Sequence, residues 1–147
     1  MRRPRVERVL RLKRWRESVR RQREYEVSHA QAEYRQRLKE AGEAERLRER
    51  ASRDLAASVA RGEPGYQLSL MDRTWESARR AERHRQKTAR EAEAEVERAL
   101  ETLVEARMRE RMFEVLGEKR LETVRWAEMA QEQKEIDDIA GRKGVNA

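Results

Sequence analysis

The sequence contains no cysteine and only two prolines, Pro4 and Pro64, among its 147 residues. The absence of cysteine excludes disulfide bonds, and nothing in the composition indicates an oxidising compartment. No apolar run is long enough for a membrane-spanning helix or for the core of a signal peptide, so we expect a cytosolic protein. Aromatic residues make up only 5% of the chain, which is too little for a compact core enclosed on all sides.

Charged residues, in contrast, make up 44% of the chain. A composition rich in Glu, Arg and Ala supplies enough apolar surface for a single seam between two helices. Intrinsic disorder is the alternative, because high charge with few aromatic residues is also typical of disordered chains. The regular spacing of small and apolar residues favours helices instead.

These residues recur in steps of three and four, which average about 3.5 residues and match the coiled-coil period. In the first half the series is Val27, Ala30, Tyr34, Leu38, Ala41, Ala44, Leu47, Ala51, Leu55 and Val59. In the second half it is Met71, Trp75, Ala78, Arg85, Ala89, Ala92, Val96, Ala99, Leu103, Ala106, Phe113, Leu116, Leu121, Val124 and Ala127. If the chain folds back near residue 65, positions whose numbers sum to about 130 face each other and the two series interlock. This predicts an all-α protein, a long antiparallel two-helix coiled coil whose C-terminal helix overhangs beyond about residue 127.

A short segment, Arg61 to Tyr66, contains the signals that interrupt the helical pattern. Gly62 suits the left-handed position after a helix C-terminus, and Pro64 follows where a helix cannot continue. Ser69 with Asp72 three residues later resembles a capping box. We therefore predict one coiled-coil domain over 1–147, with helix 1 over about 4–61, a turn at 62–68, helix 2 over about 69–140 and a frayed tail at 141–147.

The positive charge is concentrated at the N-terminus. Residues 1–23 contain eleven Arg or Lys and two Glu, a net charge of +9 in a chain whose total is +7. Such an end attracts an acidic protein, a nucleic acid or a membrane face. Nucleic-acid binding through this Arg-rich segment is the alternative function. Against it, the following helix has alanine and tyrosine where a parallel zipper needs leucine, and it turns back at Gly62.

No pattern in the sequence is typical of an active site or a cofactor site. It contains no glycine-rich phosphate loop. Glu26 and His29 have the spacing of a carboxylate-bridged metal site, but Glu82 and His84 lie on different helical faces and cannot supply the second half. We expect no enzymatic activity, no cofactor and no metal.

The tryptophans and the overhang are candidates for contact with partners. Trp75 belongs to the seam series close to the turn, where we expect it to pack. Trp15 and Trp126 lie near the open end, either in the seam or exposed as partner contacts. The overhang carries an apolar stripe that we expect a partner to cover: Met129, Ile136, Ile139 and Ala140.

Three segments of the sequence carry a family resemblance. They are Arg5-Val-Glu-Arg-Val-Leu-Arg-Leu-Lys13 near the start, Gly65-Tyr66 to Met71 at the interruption, and Glu132-Gln-Lys-Glu-Ile-Asp-Asp-Ile-Ala140 near the end. They resemble the opening segment, the inter-helix turn and the C-terminal signature of the FliJ family, coiled-coil components of the flagellar type III export apparatus with injectisome relatives of the YscO type. Arg5 stands where relatives often carry an aromatic residue.

The resemblance implies a stalk similar to the gamma subunit of rotary ATP synthases. It would lie in the central hole of a homohexameric FliI-like export ATPase, contact an FlhA-like export gate at the inner face of the cell membrane, and act as a general export chaperone or as an escort for export chaperones. Alone, it is expected to be a monomer. The residues expected to bind the ATPase are Arg8, Arg11, Lys13, Arg16, Trp126, Glu132, Lys134, Glu135, Ile136, Asp137, Asp138 and Ile139. Those expected to face the gate are Tyr66, Leu68 and Trp75.

Overall fold

The computed structural model describes residues 3–145, and almost all of them belong to two α-helices. The first helix, α1, spans Arg3–Ala60, and the second, α2, spans Gly65–Val145. The two helices pack against each other as a helical hairpin, with no β-strand among the described residues. The predicted all-α hairpin is therefore confirmed.

The turn, residues 61–64, ends α1 with a Schellman motif. Gly62 has a φ of 68°, in the left-handed region that glycine adopts without a steric penalty. Its N–H donates to the carbonyl of Val59 at 3.1 Å, and the N–H of Glu63 donates to the carbonyl of Ser58 at 3.2 Å. This pair of bonds defines the motif, so the role predicted for Gly62 is confirmed.

The helix α2 begins earlier than the sequence predicts. The carbonyl of Pro64 accepts hydrogen bonds from the N–H groups of Gln67 and Leu68, at 3.0 and 3.1 Å, which starts the helix at Gly65. Ser69 therefore lies inside α2, and the predicted capping box with Asp72 is wrong. Pro64, just before the first helical residue, contributes no N–H of its own to this end of the helix.

At its other end α2 continues to Val145, past the predicted end at about residue 140. Gly141 and Gly144 each lower helix propensity by only about 1 kcal/mol relative to alanine, which does not by itself end a long helix. Arg142 and Lys143 in the last turn interact favourably with the negative end of the helix dipole. The remainder of the predicted tail, residues 146 and 147, lies outside the described residues.

The chain divides into two compact units, each built from parts of both helices. The turn unit comprises residues 23–103, and the terminal unit comprises residues 1–22 and 104–147. In the turn unit, the covered side chains of α1 include an unbroken heptad repeat: Val27, Ala30, Tyr34, Arg37, Ala41, Ala44, Arg48, Ala51, Leu55 and Ser58. The covered side chains of α2 that share this repeat are Leu68, Met71, Trp75, Ala78, Glu82, Arg85, Ala89, Ala92, Val96, Ala99 and Leu103.

Three residues predicted for this seam are exposed instead: Leu38, Leu47 and Val59. Their places are taken by the chain neighbours Arg37, Arg48 and Ser58. The prediction placed the more apolar neighbour in the seam at each step, whereas the repeat of 3.5 residues fixes which face meets the partner helix.

Arg48, Glu82 and Arg85 in the turn-unit seam have ion-pair partners on the opposite helix, whereas Arg37 pairs within α1. Arg48 Nε donates to Glu82 Oε2 at 2.6 Å, and Arg85 Nη1 donates to Glu40 Oε2 at 3.0 Å. Arg85, the one charged member of the predicted series, therefore has an acidic partner on α1. Ser58 is fully buried, and its hydroxyl donates to the sulfur of Met71.

In the terminal unit, the covered side chains of α1 include Val6, Val9, Lys13, Arg16 and Arg20, and those of α2 are Ala106, Glu110, Phe113, Gly117, Leu121, Val124 and Ala127. Leu116, predicted for the seam, is exposed, and Gly117 takes its place against Val9. Within α2 up to residue 144, Ala127 is the last covered residue, and residues 128–144 are all exposed. The predicted overhang after about residue 127 is confirmed.

Candidate protein-binding surfaces

The four basic residues of α1 that were expected to contact an ATPase do not share one environment. Arg8 and Arg11 are exposed, whereas Lys13 and Arg16 are half-buried against α2. Lys13 Nζ lies 3.9 Å from Glu114 Oε1. Arg8 and Arg11 are thus the two that are openly accessible to an acidic partner.

Arg16 packs among aromatic rings in the terminal unit. Its guanidinium carbon lies 5.1 Å from the ring centroid of Phe113 on α2 and 4.6 Å from that of Trp15. These are cation–π distances. Its Nε is buried and has no hydrogen-bond partner among the described residues. Arg16 therefore stabilises the contact between the helices, and Trp15 remains exposed beside it.

A further cation of the N-terminal segment is also held within the unit. Arg20 Nε lies 2.6 Å from Glu110 Oε2, and both side chains are largely covered. Together with Lys13 and Arg16, it faces α2 and not an external ligand. A basic-zipper helix, in contrast, enters the DNA groove unpaired. This arrangement gives no support to the nucleic-acid alternative.

The C-terminal extension of α2, residues 128–144, presents acidic and apolar side chains to solvent. Residues 128–140 contain five acidic residues and one lysine. All the predicted contacts here are exposed: Glu132, Lys134, Glu135, Ile136, Asp137, Asp138 and Ile139. Gln131 and Gln133 donate to the carboxylates one turn later, those of Glu135 and Asp137. Such pairs support an unpartnered helix by only a few tenths of a kcal/mol each, so the extension is accessible but weakly stabilised.

A second apolar stripe on α2 was not recognised as a continuous stripe from the sequence, although Trp126 and Met129 within it were expected to contact partners. Its members in the terminal unit are between 40% and 65% exposed: Val104, Met108, Met112, Val115, Trp126 and Met129. A helix turns about 100° per residue, so these positions lie roughly half a turn from the seam residues Ala106, Glu110 and Phe113. Val104, Met108, Met112 and Val115 advance in steps of three and four, and Trp126 and Met129 continue the same spacing beyond the charged positions Lys119 and Glu122, a signal that was present in the sequence.

The predicted gate contacts near the turn differ in accessibility. Tyr66 is 73% exposed, whereas Leu68 and Trp75 are half-buried in the seam of the turn unit. The guanidinium of Arg79 lies 5.3 Å from the Trp75 ring centroid and covers its outer side. Leu70, which the sequence prediction did not include, is exposed one turn after Tyr66. Tyr66 and Leu70 thus form the accessible apolar surface next to the turn.

No cluster of metal-binding side chains is assembled in the described part of the chain. His84 is exposed, and exposed His29 lies beside Tyr25, with ring centroids 6.5 Å apart. Residues 3–145 contain no group of three or more His, Cys, Asp or Glu side chains that could hold a metal ion. Over the same range, neither helix has a stretch long and apolar enough to span a bilayer.

Comparison with known proteins agrees with this geometry. The chain matches the family described as flagellar FliJ protein over residues 3–147, essentially its whole length. The comparisons with curated proteins and with solved structures gave no match. A family match of this extent identifies the chain as a member of the FliJ family, whose proteins are components of the flagellar export apparatus.

Proposed function

We propose that this protein is the stalk of the export ATPase. Its terminal unit binds in the central hole of a FliI-like homohexamer, and its turn unit contacts an FlhA-like export gate. Every residue predicted to bind the ATPase belongs to the terminal unit, and every residue predicted to bind the gate belongs to the turn unit. The proposal therefore assigns one partner to each unit.

The observation that carries the proposal is the uncovered extension of α2 after Ala127. All of residues 128–144 are exposed, including Ile136 and Ile139. An isolated helix of this length is marginal in water, and an exposed apolar stripe marks a surface that a partner covers. The extension belongs to the same unit as the cationic start of α1, so one unit offers a basic and an acidic surface.

The proposed mechanism follows from these two surfaces. Arg8 and Arg11 meet acidic loops that line the ATPase pore, and the carboxylates of the extension make polar contacts around Ile136 and Ile139. One asymmetric hairpin inside a six-fold ring contacts only some of the subunits at a time. It therefore has a different affinity for different subunit states, which biases ring assembly or the order of catalysis. The protein itself supplies no catalytic group.

The turn unit provides the second half of the proposal. Tyr66, with Leu70 beside it, contacts the export gate, while Leu68 and Trp75 hold the two helices together beneath them. Contact with the gate places the protein peripherally at the inner face of the cell membrane, without any insertion into the bilayer. A role as a general export chaperone, or as an escort for chaperones, is supported only by family membership.

The test is ATP hydrolysis by the purified export ATPase hexamer of the same system. It is measured with the full chain, with a chain ending at Ala127, and with a Tyr66→Ala control altered only at the turn. We expect the full chain and the control to stimulate hydrolysis equally and the shortened chain to lose most of the stimulation. Equal stimulation by the shortened chain would refute the role of the extension. Circular dichroism during thermal unfolding verifies that the shortened chain keeps its helical content and unfolds cooperatively.

A further inference from the structure

A second heptad repeat runs along α2 on the face opposite its contact with α1. We name it the outer seam and define it by two sets of residues spaced seven apart: Met108, Val115, Glu122 and Met129, and Met112, Lys119, Trp126 and Gln133. All eight are exposed. A repeat of 3.5 residues keeps one face towards a partner helix over its whole length. The outer seam therefore has the periodicity of a helix-binding surface, and the hairpin leaves it uncovered.

The charges in and beside the outer seam indicate what covers it. We propose that the outer seam binds the outer seam of a second copy of this chain in antiparallel orientation, about a two-fold axis near residues 120 and 121. The observations that carry this proposal are the exposure and charges of the seam itself, so it does not depend on the proposed function. It departs from the sequence-based expectation that the protein alone is a monomer.

In this arrangement the residues of the seam meet complementary residues of the second copy. Met112 faces Met129 of the other copy, and Val115 faces its Trp126. Lys119, a cation in the middle of the seam, faces Glu122. A methionine beside an indole ring is a favourable filler of irregular gaps, so the apolar layers can pack closely. Because the axis is two-fold, each of these contacts forms twice.

The residues that flank the seam are complementary in the same register. Arg111 lies opposite Glu132 of the second copy, and Glu118 lies opposite its Arg125. Among residues 3–145, no ion pair within the chain involves Arg111, Glu118 or Arg125. Within this range Lys119, Glu122 and Glu132 also form no ion pair within the chain. All six charges are therefore available to a second copy.

Other arrangements of two copies lose this complementarity. An antiparallel pair shifted by one heptad places Glu118 opposite Glu132 and Lys119 opposite Met129. A parallel pair stacks Lys119 on Lys119 and Glu122 on Glu122. Like charges at facing positions of a coiled coil are destabilising. The charges therefore select one orientation and one register.

The complementary part of the outer seam ends at residues 108 and 133, a helical length of about 38 Å. Beyond it Ile136 would face Glu105, which pairs with Arg109 on its own helix. Trp126 and Glu132 belong both to this surface and to the predicted ATPase contacts. The second copy and the ATPase would therefore compete for them, so self-association would keep the unassembled protein from exposing these residues.

The first test is sedimentation equilibrium of the full chain at increasing concentration, with two charge reversals. Glu118→Arg alone and Arg125→Glu alone each place like charges together twice in a dimer. We expect each to raise the dimer dissociation constant by roughly tenfold. An equimolar mixture of the two variants should recover the native value to within about threefold, because every facing pair is again opposite in charge. Monomer at all concentrations, or reversals without effect, would overturn the proposal.

The second test uses the absence of cysteine from the chain. Met112→Cys and Met129→Cys are mixed under mild oxidation and compared with each variant alone. We expect a mixed disulfide to form at least tenfold faster than either symmetric one, since two copies of residue 112 would lie about 25 Å apart. A symmetric disulfide at residue 112 that formed faster than the mixed one would indicate parallel pairing and would contradict the proposal. Circular dichroism verifies that both variants are helical.

Discussion

Arg48 on α1 and Glu82 on α2 form an ion pair at 2.6 Å inside the seam of the turn unit. In the terminal unit Arg20 and Glu110 form an equivalent pair, also at 2.6 Å. The residue numbers of each pair sum to 130, the value that the predicted register requires. A slip of one heptad within either unit would leave a largely covered charge without its partner, which is costly. These pairs therefore specify the register of the hairpin.

The first prediction concerns the loss of one partner of such a pair. Glu82 is 15% exposed and holds the pKa of Arg48 above its ordinary value, chiefly through their hydrogen bond. Glu82→Ala should lower the midpoint of thermal unfolding by several degrees, followed by circular dichroism. The matched control is Glu95→Ala, because Glu95 is 64% exposed and pairs with Arg98 on the same helix. The exchanged pair Arg48→Glu with Glu82→Arg should recover part of the loss. Equal changes of the unfolding midpoint in Glu82→Ala and Glu95→Ala would show that the pair in the seam adds nothing to the stability of the hairpin.

The second prediction compares two glycines inside helices. A Cβ atom at Gly42 would meet nothing within 4 Å. Gly42→Ala should therefore raise the free energy of unfolding by about 0.5–1 kcal/mol, the ordinary gain of alanine over glycine in a helix. A Cβ atom at Gly117 would lie 3.1 Å from Val9 Cγ1. Because valine is restricted at χ1, the close contact should cancel the gain, and Gly117→Ala should not stabilise the protein.

Chemical denaturation of the two variants measures this difference. A Val9→Ala background provides the control, since it removes the atom that the new Cβ would meet. There, Gly117→Ala should raise the free energy of unfolding as Gly42→Ala does. Stabilisation by Gly117→Ala in the native background would contradict the close approach of α1 and α2 at this position.

The third prediction concerns how the contribution of Glu40 to stability depends on pH. The pKa of Glu40 is lowered from 4.5, first by the hydrogen bond from Gln36 and then by that from Arg37, and Arg85 on α2 adds to the effect. A carboxyl group with a lowered pKa stabilises the folded state above its unfolded pKa, and this contribution disappears as the pH falls through the folded value. Glu40→Gln should therefore be less stable than the native protein near neutral pH, and the difference should shrink well below about pH 4.5.

Thermal unfolding at a series of pH values tests this dependence. Glu43→Gln, at an exposed neighbouring carboxylate, is the control for the general effect of removing a charge. A difference between native protein and Glu40→Gln that stayed constant from neutral to strongly acid pH would contradict the account.

The fourth prediction distinguishes the exposed residues near the turn, Tyr66 and Leu70, from Trp75, which packs in the seam. Tyr66→Ser and Leu70→Ser change exposed side chains. Each should leave the unfolding midpoint nearly unchanged while weakening binding to the export gate protein, by roughly tenfold if both are central to the contact. Trp75→Ala should instead lower the unfolding midpoint, since Trp75 packs in the seam. Calorimetric titration with the soluble domain of the gate protein measures the affinity. Unaltered affinity for both serine variants would place the gate contact elsewhere.

Much of the fold could be predicted because the coiled-coil period is a property of the sequence itself. The hairpin and the overhang after Ala127 followed from it, whereas the left-handed Gly62 followed from the glycine and proline that end the first helix. The errors arose where a charged or small residue occupied a heptad position beside a more apolar neighbour, as with Arg37 and Leu38. The long aliphatic stem of arginine packs in the seam while its head group reaches a carboxylate, and hydrophobicity alone does not reveal such a position.

The candidate surfaces were harder to predict for a different reason. Lys13 and Arg16 look like surface cations in a basic segment, and only the facing helix shows that Glu114 and Phe113 engage them. The outer seam was missed because one apolar repeat was already assigned to α2. A helix with apolar repeats on two opposite faces has a binding surface for a neighbour on each face. The sequence does not show which of these two neighbours belongs to the same chain.

The most direct test of the export-stalk proposal is recovery of the export ATPase with the tagged protein from its own cells. Three forms are compared at moderate salt: the full chain, the chain ending at Ala127, and the full chain with Arg8→Glu and Arg11→Glu. We predict that the full chain retains the ATPase and that both altered forms lose most of it. Failure of the full chain to retain the ATPase, or equal retention by all three forms, would contradict the assignment of the terminal unit to the ATPase.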